Sequence, residues 1–306
     1  MTRWVLLFSC LILHSHAQLK EHFRKVEGKK EGIQVRNIDF IYMINLDNRP
    51  EKFERCCGQL EPYGIRPHRF SAVYGWTLPD SVLNDVGIRF SKGMQFCPTK
   101  ENRVIRFPHS KHKLDKSYYG KKIVSQWMSK GAIGCFLSHL SILQDAYDAG
   151  YETIWVMEDD IKVERDPHAI SDYIDKLDQL VGKGEWDLLY TEAGCFEGGT
   201  PEQNGNIAYH YPWFWRPDMP SQDTSYITRC TDVGEEFIKL GNKGRTHSMI
   251  IRRSGMKKIL DFEKSHGMFL PIDIELSFVP DIRLYGLKTT IIHFNSSISD
   301  TENKHF

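Results

Sequence analysis

Thr153-Ile154-Trp155-Val156-Met157-Glu158-Asp159-Asp160 decides the fold. Its first five residues form a continuous apolar run with no polar face. That is the pattern of a strand covered on both sides, as in a parallel sheet sandwiched by helices. The run ends in three consecutive acids, and in open α/β sheets ligands bind at the carboxyl ends of the strands. Adjacent carboxylates repel one another, so a cationic partner must offset them. A hard divalent ion with oxygen ligands does this and can also hold a diphosphate. Strand alternation sends Glu158 and Asp160 to one side, where one can reach a ribose hydroxyl and the other a metal. A solvated strand end whose acids cap the next turn is the competing reading, and this segment alone leaves both open.

The same signal recurs on either side. Phe40-Ile41-Tyr42-Met43-Ile44 is another continuous apolar run, broken by Asp47-Asn48-Arg49-Pro50, and Pro50 suits the first turn of a helix reaching about Tyr63. Residues 69–73 read as a second strand. Ile133, Phe136, Leu137, Leu140, Leu143 and Ala146 recur at helical spacing until Gly150 stops the helix. Pro167 opens a helix to about Val181, and Asp187-Leu188-Leu189-Tyr190 is a short strand. Residues 247–251 read as a strand, 254–262 as a helix, and 284–294 as holding one final strand. Alternating strands and helices imply an α/β protein with a mainly parallel sheet and helices on both faces. Residues 76–130 form a basic excursion with little periodicity, and 194–220 a long loop rich in glycine, proline and aromatics.

With 306 residues, of which 41% are apolar, the chain can build a sizeable core. Forty basic residues balance forty acidic ones, and this lack of net positive charge gives nucleic acid no support as a partner. The balance is local: ten Lys/Arg face two acids, Glu101 and Asp115, between Arg89 and Lys122. Residues 1–17 read as a signal peptide, with Arg3, an apolar run from Trp4 to Leu13 and a Ser15-His16-Ala17 cleavage box. That run is too short to span a bilayer. Residues 18–36 are a polar lead-in and 37–306 the folded domain. A secretory location is the expectation: endoplasmic reticulum lumen, Golgi or secreted, or periplasm in a bacterium. Six of seven cysteines lie beyond the signal. They permit disulfides, form no CxxC pair, and Cys135 reads as a plain core residue. Asn295-Ser296-Ser297 is a glycosylation sequon.

Several stretches together resemble glycosyltransferase family 25, which includes bacterial lipopolysaccharide galactosyltransferases and animal procollagen galactosyltransferases. They are Ile44-Asn45-Leu46-Asp47-Asn48-Arg49-Pro50, Ala72-Val73-Tyr74-Gly75, Gly131-Ala132-Ile133-Gly134-Cys135-Phe136-Leu137-Ser138-His139 and the Glu158-Asp159-Asp160 strand end. Trp186-Asp187-Leu188-Leu189, Ile250-Ile251-Arg252-Arg253-Ser254-Gly255 and Pro271-Ile272-Asp273 follow in the family's order.

The resemblance implies a GT-A fold, a UDP-sugar donor and a Mn2+-like divalent ion gripped by Asp160 and Glu158, with Asp159 also at the donor. It implies an inverting transfer of galactose or glucose to a glycan, lipopolysaccharide or collagen-like hydroxylysine acceptor. Such a step needs a carboxylate base near the acceptor. Asp273 is the candidate and Glu275 its understudy, against the reading of Asp273 as an ordinary first-turn acid. Asn45 and Arg49 end the first strand, where the nucleotide binds in this fold. Ser138 and His139 are candidates for donor or acceptor contact, His139 also for a hydrogen-bonded packing role. His247 and His293 are candidates to complete the metal shell. In the aromatic cluster of the later loop, Trp213 and Trp215 are candidate acceptor-stacking rings. Tyr74 and Ala132 stand where relatives often carry acids. Tyr74 keeps a second reading open, a catalytically inactive family member acting as an adhesion or scaffold protein.

Overall fold

The computed structural model describes residues 19–29, 35–94, 103–107, 111–113, 115–194, 215–219, 227 and 229–295. In chain order its strands are β1 (Phe40–Asn45), β2 (His68–Ser71), β3 (Ile88–Arg89), β4 (Arg103–Ile105), β5 (Lys111–Lys113), β6 (Lys122–Ser125) and β7 (Thr153–Glu158). They continue with β8 (Ile161–Val163), β9 (Leu188–Tyr190), β10 (Cys230–Val233), β11 (Phe237–Leu240), β12 (Ser248–Arg252), β13 (Leu284–Leu287) and β14 (Ile292–Phe294). The helices are α1 (Pro50–Leu60), α2 (Asp80–Val86), α3 (Lys130–Asp148), α4 (Ala169–Val181), α5 (Arg253–His266) and α6 (Ile272–Glu275).

Eight strands make the central sheet, in the order β10-β11-β13-β9-β12-β7-β1-β2. The decisive run is β7, parallel to β1, and β1 is parallel to β2. Alternate residues of β7 serve opposite faces, as a strand's period of two requires. Ile154 and Val156 join a core built with Ile133, Phe136 and Leu140 of α3 and Met256 and Ile259 of α5. Trp155 and Met157 join the opposite core with Cys56 and Leu60 of α1 and Ile170, Ile174 and Leu177 of α4. Both faces are therefore covered, and the run has no polar side to give.

Two sequence stretches sixty residues apart prove to be one structural unit. Ser129 caps α3, its side chain accepting from the Ala132 amide at 2.9 Å. One turn later the helix presses on the loop that follows β2. A Cβ on Gly134 would stand 2.5 Å from both Val73 O and Gly75 N, and one on Gly75 would stand 1.8 Å from Lys130 O. Only glycines allow two backbones this close. Ser138 completes the seam: its Oγ accepts from Val73 N at 2.9 Å and donates to Gly134 O at 2.8 Å.

Asp187 joins β9 to its neighbours from a fully buried position. Its carboxylate accepts from Ser254 Oγ (2.6 Å), Lys258 Nζ (2.7 Å), and Arg283 N and Nε (2.9 and 3.0 Å). Burial alone would raise its pKa, but these donors hold it below the usual carboxylate value.

The α/β class and the helices on both faces are as expected from the sequence. The sheet itself is mixed: β12 runs antiparallel between β7 and β9, and β11 opposes β13. Periodicity reports burial, not direction, so β12 was legible as a strand and its orientation was not. The basic excursion is more ordered than its irregular pattern suggested. It contributes α2 and a four-stranded sheet, β3-β6-β4-β5, made of strands too short to show a period. The single final strand is two. β13 lies in the central sheet, and β14 pairs with β8 just past the three acids. Cys230 is disulfide-bonded, whereas Cys56, Cys57 and Cys135 are free thiols. Among the described residues no helix is long and apolar enough to cross a membrane. Residues 1–17 lie outside the described residues.

Three substitutions test these packing and charge relations. Gly134→Ala overpacks the seam and should lower unfolding free energy by about 1–3 kcal/mol in urea titrations. Gly58→Ala, on an exposed helical position with nothing within 4 Å, should raise it by up to about 1 kcal/mol. Asp187→Asn should cost about 2–3 kcal/mol at pH 7, less than a fully buried pair because its cations are partly exposed. A depressed folded-state pKa contributes stability above the unfolded-state value of about 4 and loses it as pH falls through the folded value. The penalty, read from midpoints across pH, should therefore shrink below pH ~4.

Candidate active site

β1, β2, β7 and β9 point their carboxyl ends to one edge of the sheet, and the amino end of antiparallel β12 arrives at the same edge. A cleft opens there, between the ends of β1 and β7, the start of α1, the loop after β2 and the first turns of α3. Asn45, Lys52, Tyr74, Trp76, Cys135 and all three acids of the triplet are among its lining residues.

Each acid of the triplet has a different environment. Glu158 Oε1 lies 3.0 Å from His139 Nε2 and accepts from Thr246 Oγ1 at 2.6 Å. Burial works to raise its pKa, but His139, Thr246 and the nearby His247 hold it below the usual value. Asp159 Oδ2 accepts from Asn45 Nδ2 at 2.6 Å, and its backbone carbonyl accepts from Arg55 Nη2 at 3.1 Å. Asp160 is pushed up to about 7 by burial and by the charge of Glu158. Its Oδ1 is buried with no hydrogen-bond partner among the described residues.

Asn45 is the buried hub of this edge. Besides Asp159 it donates to Arg49 O (2.7 Å) and accepts from Arg69 Nε (2.7 Å). The Arg49 side chain turns to Glu51 at 2.7 Å and is not among the residues lining the cleft. Ser138 lines the cleft, but its hydroxyl is committed to the seam with Val73 and Gly134. His139 is buried and orients Glu158.

His247 precedes β12 and is buried beside a second acid, Glu192, which follows β9. His247 Nε2 is 2.7 Å from Glu192 Oε2, and His293 Nδ1 is 3.2 Å from the same oxygen. Lys243 Nζ approaches Glu192 Oε1 at 3.3 Å. Burial would raise the Glu192 pKa, but His247, Lys243 and His293 together lower it to about 2. His247 Nδ1 is buried and without a hydrogen-bond partner among the described residues. Of the two histidines, His247 is the one next to the triplet: Glu158 N donates to its backbone carbonyl at 2.9 Å.

Asp273 lies in the same field. Its pKa is raised by burial and by the charge of Glu158, partly offset by amide donors from Arg245 and Ile274, both at 3.0 Å. Glu275, two residues on, faces elsewhere. It forms a buried ion pair with Arg216 and accepts from the Phe269 and Leu270 amides at 3.1 Å each. That arrangement makes Glu275 an anchor for the turn that carries Asp273. Arg216 in turn is held by Asp218 (2.9 Å) and Gly267 O (3.1 Å). Trp215 next to it is only 8% exposed, so its faces are covered and the expected open stacking surface is not there. Trp213 lies outside the described residues.

Sequence reading missed Lys52, Thr246 and Glu192, and took Cys135 for plain core, although it is only partly buried and lines the cleft. Lys52 had a signal. Lys52, Cys56 and Leu60 fall at successive i, i+4 positions on the inward face of α1, and all three are buried. Glu192 had one too, since it follows an apolar strand much as Glu158 does. Thr246 carried no signal that sets it apart from other loop threonines.

This framework is a Rossmann-like glycosyltransferase fold. The chain belongs to glycosyltransferase family 25: the family profile, described as glycosyltransferase family 25 (LPS biosynthesis protein), matches residues 38–275. A "Glycosyltransferase 25 family member" of Aedes aegypti is 27% identical over 265 residues, covering 85% of this chain and 34% of the relative. One from Anopheles gambiae is 26% identical over 245 residues, covering 80% and 32%. A human relative named "Inactive glycosyltransferase 25 family member 3" is 26% identical over 190 residues, covering 60% of this chain and 26% of its own. The chain thus spans about a third or less of the length of these relatives.

The hub role of Asn45 can be measured directly. Asn45→Ala leaves Arg69 Nε and the Arg49 carbonyl without their partner and should cost about 1–3 kcal/mol by urea denaturation. Asn45→Asp sets a carboxylate against Asp159 and should cost more at pH 7 than at pH 4. Equal midpoints for all three proteins would contradict the assignment.

Proposed function

We propose that this chain is an inverting, divalent-metal-dependent glycosyltransferase that moves galactose or glucose from a UDP-sugar to a glycan or hydroxylysine acceptor. The observation that carries this reading is two buried atoms without hydrogen-bond partners among the described residues: Asp160 Oδ1, at a cleft lined by three carboxylates, and Nδ1 of His247, whose charge acts on Asp160. A buried polar atom without a partner is costly, and two beside an acidic cluster fit a missing cation. The donor set suits Mn2+ or a similar ion: Asp160 and His247 would hold it, with Glu158 behind them. When bound, such an ion neutralises the charge of a departing diphosphate.

The protein's own residues supply the rest. Asn45 and Lys52 shape the donor side of the cleft, the first by holding Asp159 in place. Tyr74 and Trp76 wall it with aromatic faces suited to a base or sugar ring. Asp273 is the general base: burial raises its pKa above the usual carboxylate value, which strengthens it as a proton acceptor. It takes the acceptor hydroxyl proton as that oxygen bonds to the anomeric carbon, and the bond from that carbon to the UDP oxygen breaks with inversion. Secretion remains part of the proposal, supported by the residue pattern of 1–17 and by the disulfide at Cys230.

The human relative's name favours one alternative, an inactive member. UDP release across a panel of UDP-sugars, with and without Mn2+, separates the two. The expected result is metal-dependent turnover of one donor, lowered about 100-fold or more by Asp160→Ala. Asp273→Asn should lower kcat while leaving donor KM nearly unchanged. A folded wild-type protein that turns over no donor in the presence of collagen-like and glycan acceptors contradicts the proposal and favours the inactive reading.

A further inference from the structure

Cys135 has no part in the reaction above, and with His139 and Glu158 it forms a second cluster at the cleft. Cys135 and His139 are four residues apart on α3, so they project from the same face one turn apart. Glu158 of β7 faces them across the seam between helix and sheet. One donor atom from each of the three lies within 4.8 Å of the other two, and His139 Nε2 to Glu158 Oε1 is 3.0 Å. Ligand atoms around a tetrahedral zinc, bound at about 2.0–2.3 Å, are separated by about 3.3–3.8 Å. The trio therefore needs only small side-chain movements to surround an ion.

We propose that Cys135, His139 and Glu158 form a thiol-containing site for a thiophilic divalent ion such as Zn2+, distinct from the hard-ion site at Asp160 and His247. Three observations support it. Two helix residues at i, i+4 facing one acceptor make a rigid bidentate clamp, the spacing that helical zinc motifs use. Cys135 and Glu158 both line the cleft, so an ion enters from solvent and the fourth position stays open to water. The ligand chemistry also separates the sites: a thiolate with imidazole selects zinc, whereas carboxylate with imidazole accepts manganese. On binding, the Cys135 S–H bond breaks, sulfur keeps the electron pair and bonds the ion, and the proton leaves to solvent. The His139–Glu158 hydrogen bond is replaced by two bonds to the ion, which takes Glu158 away from the set facing Asp160. Zinc would thus act on the cleft through a thiol. The proposal stands on these three residues and does not depend on the transferase reading.

Cobalt is the probe, because a Co2+–thiolate bond gives an intense near-ultraviolet charge-transfer band that carboxylate and imidazole ligands do not. The full chain, titrated with Co2+ in thiol-free buffer, should develop that band with one equivalent and lose it on adding Zn2+. Cys135→Ser should abolish the band and weaken Zn2+ binding at least about 10–100-fold, with an unchanged circular dichroism spectrum. Cys57→Ser, which alters a thiol outside the site, should retain both. Cobalt binding without a thiolate band, or a Cys135→Ser protein that binds Zn2+ as tightly as wild type, overturns the proposal. A clear thiolate band in a protein that turns over no donor supports this site and counts only against the transferase reading.

Discussion

The site is governed by carboxylate repulsion at one edge of the sheet. Glu158, Asp159 and Asp160 follow one another at the end of β7, Asp273 reaches the same field, and Glu192 meets it through His247. Like charges this close in a partly dry cleft cannot all ionise without compensation. The fold answers acid by acid. His139 and Thr246 take Glu158, Asn45 takes Asp159, and His247, His293 and Lys243 surround Glu192. Asp160 Oδ1 stays buried with no hydrogen-bond partner among the described residues, as does Glu192 Oε2, which has the two histidines within ion-pair distance. The arrangement compensates its acids almost completely and leaves a deficit of positive charge at one place.

That compensation depends on backbone fit far from the acids. His139 reaches Glu158 only because α3 lies against the loop after β2, which the meeting of Gly75 with Gly134 permits. Ser138, next to His139, fastens the same seam. The helix that positions the histidine is thus fixed by the residues that also shape the cleft wall at Val73, Tyr74 and Gly75. On the other side, Arg216 and Glu275 fix the turn that presents Asp273. Packing and electrostatics share the same residues here, so a change at the seam acts on the acids as well.

The strands that carry the triplet and Asn45 were legible because their apolar runs are buried on both faces and end in polar residues. The direction of β12, the existence of β10 and β11 and the split of the final strand were not, since strand partners are set by tertiary contacts that periodicity does not encode. The acids of the site were visible because three in a row at a strand end are conspicuous. Their partners were harder to see. Thr246 looks like any loop threonine, and Glu192 acts through histidines that are distant in sequence. Glu275 and Ser138 show the opposite error. Their positions beside functional motifs suggested chemistry, and the structure instead commits their polar atoms to holding the backbone.

The chemistry of the site depends most directly on the charge deficit at Asp160 and His247. Electron paramagnetic resonance of added Mn2+ measures it without any substrate, since protein-bound ion loses the sharp six-line signal of the free aquo ion. One Mn2+ should bind per wild-type chain, with affinity reduced about tenfold or more in both Asp160→Asn and His247→Ala. Wild-type protein that leaves the free-ion signal unchanged, or variants that bind Mn2+ as wild type does, would contradict it.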